Sequence, residues 1–132
     1  ESNGLRSQID TAAKLSDIEK IELLKKLLGE NTPVMIRIGN GYLTDKYSPF
    51  WGKIVSHWIT LWGFDNSKSI FYVYDSALPE KYRNKNIPIG NTTRSYREIL
   101  RDWQFGKLQP WYWAFVGIVN FLYIKVNGRK TK

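Results

Sequence analysis

His57 is the only histidine in the chain, and it heads a strand-like run, His57-Trp58-Ile59-Thr60-Leu61-Trp62-Gly63-Phe64-Asp65. A second run, Ile70-Phe71-Tyr72-Val73-Tyr74, delivers Asp75 at its end. A neutral imidazole takes a proton from a nucleophile near neutral pH once its tautomer is fixed, and a carboxylate accepting from Nδ1–H fixes it. Their separation of 18 positions suits a hairpin that brings both to the same end. The expectation is a dyad, His57 as base and Asp75 as the acid that orients it. Each residue also has a plainer reading. A lone histidine at a strand end often only packs, and an Asp before Ser commonly caps a turn.

Such a pair needs a turn, flanking strands and a wall. Asp65-Asn66-Ser67-Lys68 is turn chemistry between the two runs. Pro33 to Gly39 reads as a strand entering the core. Between it and the histidine lies Asn40 to Val55, punctuated by Gly41, Pro49 and Gly52 and carrying Tyr42, Tyr47, Phe50 and Trp51. A loop this long is uncommon unless it is functional or disordered. It either walls a ligand groove, with Tyr47, Phe50, Trp51 and Trp58 as the substrate-binding residues, or its aromatics simply tuck it down.

The remaining elements follow from patterning. Leu5, Ile9, Ala12 and Ala13 are spaced for a short helix. Ser16 and Glu19 form a capping box, and Ile18, Ile21, Leu24, Leu27 and Leu28 mark one face of the stronger helix behind it. Glu22 and Lys26 are spaced to pair on the other face, and Gly29 ends the helix. Leu78 to Asn91 reads as a polar, basic loop. Ser95 and Glu98 open a second boxed helix through Ile99, Leu100 and Trp103. Trp111 to Val126 supplies one long or two short final strands, and Arg129 to Lys132 a basic tail. N-terminal helices followed by a mostly antiparallel sheet with one late helix make the fold class α+β.

Composition narrows the function. At 132 residues and 42% hydrophobic, the chain fits a single domain, 1–132, with a real core. No cysteine is present, which excludes disulfides, thiolate metal sites and a cysteine nucleophile within these residues. One histidine and unclustered carboxylates leave too few ligands for a metal, and no cofactor is implied. Glu1 to Asp10 is too polar for a secretory signal, and Trp111 to Ile124 is too short for a membrane span. A formal charge of +8 serves solubility or an anionic partner. Nucleic acid is the weaker option, because the basic loop Lys81 to Lys85 comes with no recognised nucleic-acid motif. Asn91-Thr92-Thr93 matches a glycosylation acceptor.

The run His57-Trp58-Ile59-Thr60-Leu61-Trp62-Gly63-Phe64-Asp65 resembles the histidine motif of the papain-like cysteine peptidase clan. Within that clan it is similar to the bacteriocin-processing (double-glycine leader) peptidase-like family. Val73-Tyr74-Asp75-Ser76 matches the family's acid but has Ser where Pro is usual. Ser16 to Leu28 followed by Pro33-Val34-Met35-Ile36, and Thr92 to Trp103, look like its preceding helix and strand and its late helix. The resemblance implies a papain-like fold and a peptide or protein substrate. It also implies a cysteine thiolate on a helix that precedes the segment matching Leu5 to Leu15. Neither Ser2 nor Ser7 has the family's context, and Gln8 does not match its oxyanion glutamine. The expectation is the C-terminal portion of a peptidase-like domain, inactive alone, whose cysteine helix belongs to an upstream segment or a second chain. The charged start at Glu1 suits a processing point. The alternative is a non-catalytic module that holds peptides on the same scaffold.

Overall fold

The computed structural model describes residues 6–42, 44, 46–79, 81, 91–105 and 120–127. In chain order these form β1 (Arg6–Thr11), α1 (Asp17–Gly29), β2 (Val34–Gly39), α2 (Pro49–Ile54), β3 (Ser56–Asp65), β4 (Ile70–Tyr74), β5 (Asn91–Ser95), α3 (Tyr96–Trp103) and β6 (Leu122–Asn127). The strands make one six-stranded sheet in the order β1-β6-β2-β3-β4-β5. Each neighbouring pair runs antiparallel. The architecture is α+β.

Alternation along the strands builds the core. Val34, Ile36 and Ile38 of β2, Ile59 and Leu61 of β3, and Phe71 and Val73 of β4 are buried on one face. Ile21, Leu24 and Leu27 of α1 and Ile99 and Trp103 of α3 join them in a single cluster. Both capping boxes form: Ser16 Oγ accepts from Glu19 N–H and Ser95 Oγ from Glu98 N–H, each glutamate returning the bond. These boxes satisfy N–H groups that a helix start leaves without partners.

Several elements differ from the sequence reading. The segment expected as a first short helix is β1, whose six residues pair in register with β6. All six are exposed, so the pairing is held by main-chain bonds rather than by an apolar stripe, and Ile9 is 60% exposed. Leu5 lies outside the described residues. Among the described residues a strand therefore comes first, and a single long helix follows it. Within that helix Ile18 is 77% exposed, while Lys20 is buried. Lys20 lays its stem along the core and donates from Nζ to the Leu15 carbonyl at 2.7 Å, over the Phe121 ring. Glu22 pairs with Lys25 at 2.7 Å, not with Lys26.

Asn91, expected in a loop, begins β5, where Thr92 and Thr93 supply β-branched residues beside β4. Among the described residues the last strand is β6. The remainder of the Trp111 to Val126 expectation, residues 111–119, lies outside the described residues, as do the basic stretch 82–85 and the tail.

Asn40 to Val55 is closed at its base by Asn40 N–H donating to the Val55 carbonyl at 2.7 Å, and it contains the short helix α2. Gly39 lets α2 approach β2: a Cβ there would lie 1.6 Å from the Gly52 carbonyl oxygen. Backbone on both sides leaves nothing to swing aside. Gly39→Ala is therefore expected to destabilise the fold by about 1–3 kcal/mol or more and to free the 40–55 segment for proteolysis. Urea unfolding and limited digestion measure both, and an unchanged midpoint would contradict the close approach.

Candidate active site

The β3–β4 hairpin positions His57 and Asp75. Asp65 Oδ1 accepts from Ser67 N–H at 2.9 Å and from its hydroxyl at 2.6 Å, and Ser69 takes a φ of 52°, which completes the turn. From the turn, Asp65 pairs with Ile70, Phe64 with Phe71 and Gly63 with Tyr72. The register then shifts, so that Leu61 pairs with Val73 and Thr60 with Tyr74. Trp62 and Gly63 both stand against Tyr72, and the Trp62 and Tyr72 rings stack at 5.0 Å on the face away from the helices.

This β-bulge decides where His57 points. Phe64 faces the core before it and Leu61 after it, so side chains exchange faces across it. His57, in step with Ile59 and Leu61, thereby projects to the helix-bearing face. Asp75, in step with Phe71 and Val73, projects to the same face.

The two side chains meet: His57 Nε2 lies 2.7 Å from Asp75 Oδ1. The ring nitrogen in contact is Nε2, not the Nδ1 expected from the sequence. Nδ1 is left as the atom able to exchange a proton. The side chain of His57 is 18% exposed and that of Asp75 is 4% exposed, so the bond is shielded but the ring is reachable.

Asp75 is closely held. Oδ1 also accepts from Ala77 N–H at 2.9 Å, and Oδ2 accepts from Arg94 Nη2 at 2.9 Å. Burial by itself would push this carboxyl up. The His57 bond, the Arg94 charge and the Ala77 N–H outweigh burial and hold it below the ordinary carboxylate value. An acid with a depressed folded value contributes stability above the unfolded value, near pH 4, and loses it as pH falls through the folded one. The urea midpoint is thus expected to drop steeply below about pH 4, and less steeply in Asp75→Asn. Equal acid sensitivity of the two proteins would refute this assignment.

Behind Asp75 the charges continue. Arg94 Nη1 donates to Asp102 Oδ2 at 3.0 Å, and Asp102 also accepts from Arg101 Nε at 2.8 Å and Nη2 at 3.0 Å. Arg94 and Asp102 are both buried. The sequence reading missed both residues, although each carried a signal. Arg94 alternates with Thr93 on a strand and so falls on the core face, opposite Phe71. Asp102 falls three residues after Ile99, on the buried face of α3. A charge at such a position needs a partner of opposite sign.

The candidate substrate residues divide. The Tyr47 ring lies under the Arg101 guanidinium at 4.2 Å, edge-on to Tyr42, and burial with the nearby Asp102 charge pushes its hydroxyl up. Phe50 and Trp51 pack edge to face at 5.0 Å on α2, with Phe50 61% exposed. Trp58 alternates to the face of the sheet opposite His57, beside Arg37, and does not share a surface with the ring. The cleft next to Arg94, lined by Tyr42, Leu78, Thr92, Thr93 and Glu98, measures about 190 Å³. That is below the range of small-molecule pockets. Among the described residues no three metal-binding side chains converge, and no helix is long and apolar enough to cross a membrane.

A family model described as Peptidase_C39 like family matches residues 5–102. The match takes in His57, Asp75, Arg94 and Asp102. No curated protein matches the chain.

Proposed function

Because the chain belongs to the Peptidase_C39 like family, we propose that it is the base-and-acid portion of a papain-like thiol hydrolase acting on peptides. The observation that carries this reading is the shielded 2.7 Å bond between His57 Nε2 and Asp75 Oδ1, which leaves Nδ1 for proton transfer. In this reading His57 Nδ1 takes the proton of a cysteine thiol supplied from outside these 132 residues. The thiolate attacks a peptide carbonyl carbon and forms the C–S bond. The imidazolium, stabilised by Asp75, then gives its proton to the departing amine as the C–N bond breaks. Water, deprotonated by the same ring, releases the acyl group. Tyr47, Phe50 and Trp51 line one side of the groove for an extended peptide. These residues alone cleave nothing.

The absence of cysteine from the chain favours a second reading, a module on the same scaffold that holds peptides without cutting them. One experiment separates the two. The natural polypeptide that contains these residues is treated with iodoacetamide near neutral pH, with and without His57→Ala. A cysteine alkylated at least about tenfold more slowly in the variant supports the hydrolase, since the imidazole sets its thiolate fraction. A polypeptide without cysteine, or alkylation indifferent to His57, sinks it and leaves the holding module.

A further inference from the structure

β1 forms one edge of the sheet, and all six of its residues, Arg6 to Thr11, are exposed. Which main-chain groups face outward follows from the ladder. Ala12 N–H donates to the Phe121 carbonyl at 3.0 Å, and bonding residues alternate along an antiparallel pair. Arg6, Gln8 and Asp10 therefore bond inward to β6, while Ser7, Ile9 and Thr11 turn their N–H and C=O groups out. Thr11 agrees, because its N–H is taken by Asp10 Oδ1 at 2.7 Å instead of by β6. An edge that offers unpaired groups is a template for another strand unless something blunts it.

Charge is one common blunting device, but β1 carries two charges of opposite sign, Arg6 and Asp10, placed symmetrically about Gln8. Antiparallel pairing of two β1 strands about Gln8 sets Ser7 against Ile9 of the second copy, with main-chain bonds in both directions. It also sets Arg6 against Asp10 of the second copy, once at each end. Those residues exchange no main-chain bond, and in such pairs the facing side chains come closest. Among the described residues no carboxylate pairs with Arg6. Asp10 accepts from Thr11 N–H and from the Tyr123 hydroxyl at 3.4 Å, with lone pairs left for a guanidinium. The opposite edge, β5, has no such match: its single charge is Arg94, turned inward to Asp75 and Asp102.

We infer that the open edge of β1 is a self-recognition surface: two copies of this chain pair β1 against β1, antiparallel about Gln8, and join their sheets into one. Paired residues share a face, so both helix-bearing sides lie on the same side of the joined sheet. The two His57 rings then stand roughly 34 Å apart, seven strand spacings, a span that about ten residues of extended polypeptide cover. The contact buries little area, so association is weak and reversible.

Sedimentation velocity of the 132-residue chain tests this at concentrations up to on the order of 1 mM. The native chain is expected to dimerise. Arg6→Glu sets like charges opposite each other at both ends, as does Asp10→Lys, and each variant alone is expected to associate at least about tenfold more weakly. Mixed one to one, the two variants restore both opposite-sign pairs, and association is expected to return to within about threefold of native. Ile9→Pro removes an outward N–H without touching the bonds to β6 and is expected to abolish the dimer. Amide exchange on β1 shows whether the strand stays on β6 in each variant. Should Asp10→Lys loosen it, Arg6→Glu and Ile9→Pro decide together. A native chain that remains monomeric overturns the inference, as does a mixture of folded variants that stays apart. A dimer that ignores Arg6→Glu and Ile9→Pro packs through another surface and overturns it too.

Discussion

Asp75→Ala is expected to lower the unfolding free energy by about 3–5 kcal/mol, the cost of breaking a buried ion pair by removing one partner. The side chain is 4% exposed and accepts from His57, Ala77 and Arg94. Truncation leaves the Arg94 guanidinium buried with only Asp102 to balance it, and leaves the Ala77 N–H without its carboxylate. Asp75→Asn keeps the shape and one oxygen, so its loss should be clearly smaller. Urea unfolding followed by circular dichroism measures both. A loss in Asp75→Ala below about 1 kcal/mol, the scale of an exposed pair, would mean that water reaches the charges and compensates them.

Trp103→Ala is expected to cost about 3–5 kcal/mol as well, through a cavity rather than a charge. Trp103 is fully buried, meets Phe121 and Tyr123 edge-on, and donates from Nε1 to the Leu122 carbonyl at 2.8 Å. The indole thus ties α3 to β6, and α3 carries Asp102. Trp103→Phe retains a ring and forfeits the hydrogen bond, so it should lose less. In both variants the His57 ring should become more mobile, because Asp102 no longer has a fixed backbone beneath it. Thermal unfolding and ¹⁵N relaxation of the histidine side chain test the two parts. A near-native midpoint in Trp103→Ala would show that the surrounding rings close over the gap.

Much of the site could be read in the chain because it is local. His57 and Asp75 belong to one hairpin, so turn chemistry and separation were enough to bring them together. Both capping boxes are also local, each spanning four residues whose side chains serve their own backbone. What escaped is set by partners distant in sequence. β1 is a strand because β6, more than a hundred residues on, offers it a ladder, and Thr11 Oγ1 reaches the Asn120 carbonyl at 2.7 Å. Lys20 is buried because Phe121 gives its ammonium a ring to sit on. Arg94 and Asp102 are eight residues apart on different elements, and only the sheet register shows that each completes the other. The ring nitrogen that meets Asp75 depends on the reach of a diagonal contact, which residue spacing does not specify.

The bulge at Trp62 and Gly63 has a consequence for which changes of length this hairpin can absorb. Between the turn and His57 the strand carries one residue more than its partner needs, since Trp62 and Gly63 both stand against Tyr72. Deleting one of those two would close the bulge, restore plain alternation and leave Phe64, Leu61 and the imidazole all on the helix-bearing side. Deleting one residue between His57 and Leu61 while the bulge persists would instead turn the imidazole over, away from Asp75. Tolerance to a change of length between Ser56 and Asp65 is therefore set by where the change falls rather than by its size: a working relative of this hairpin can dispense with the bulge residue, but not with a single residue beyond it.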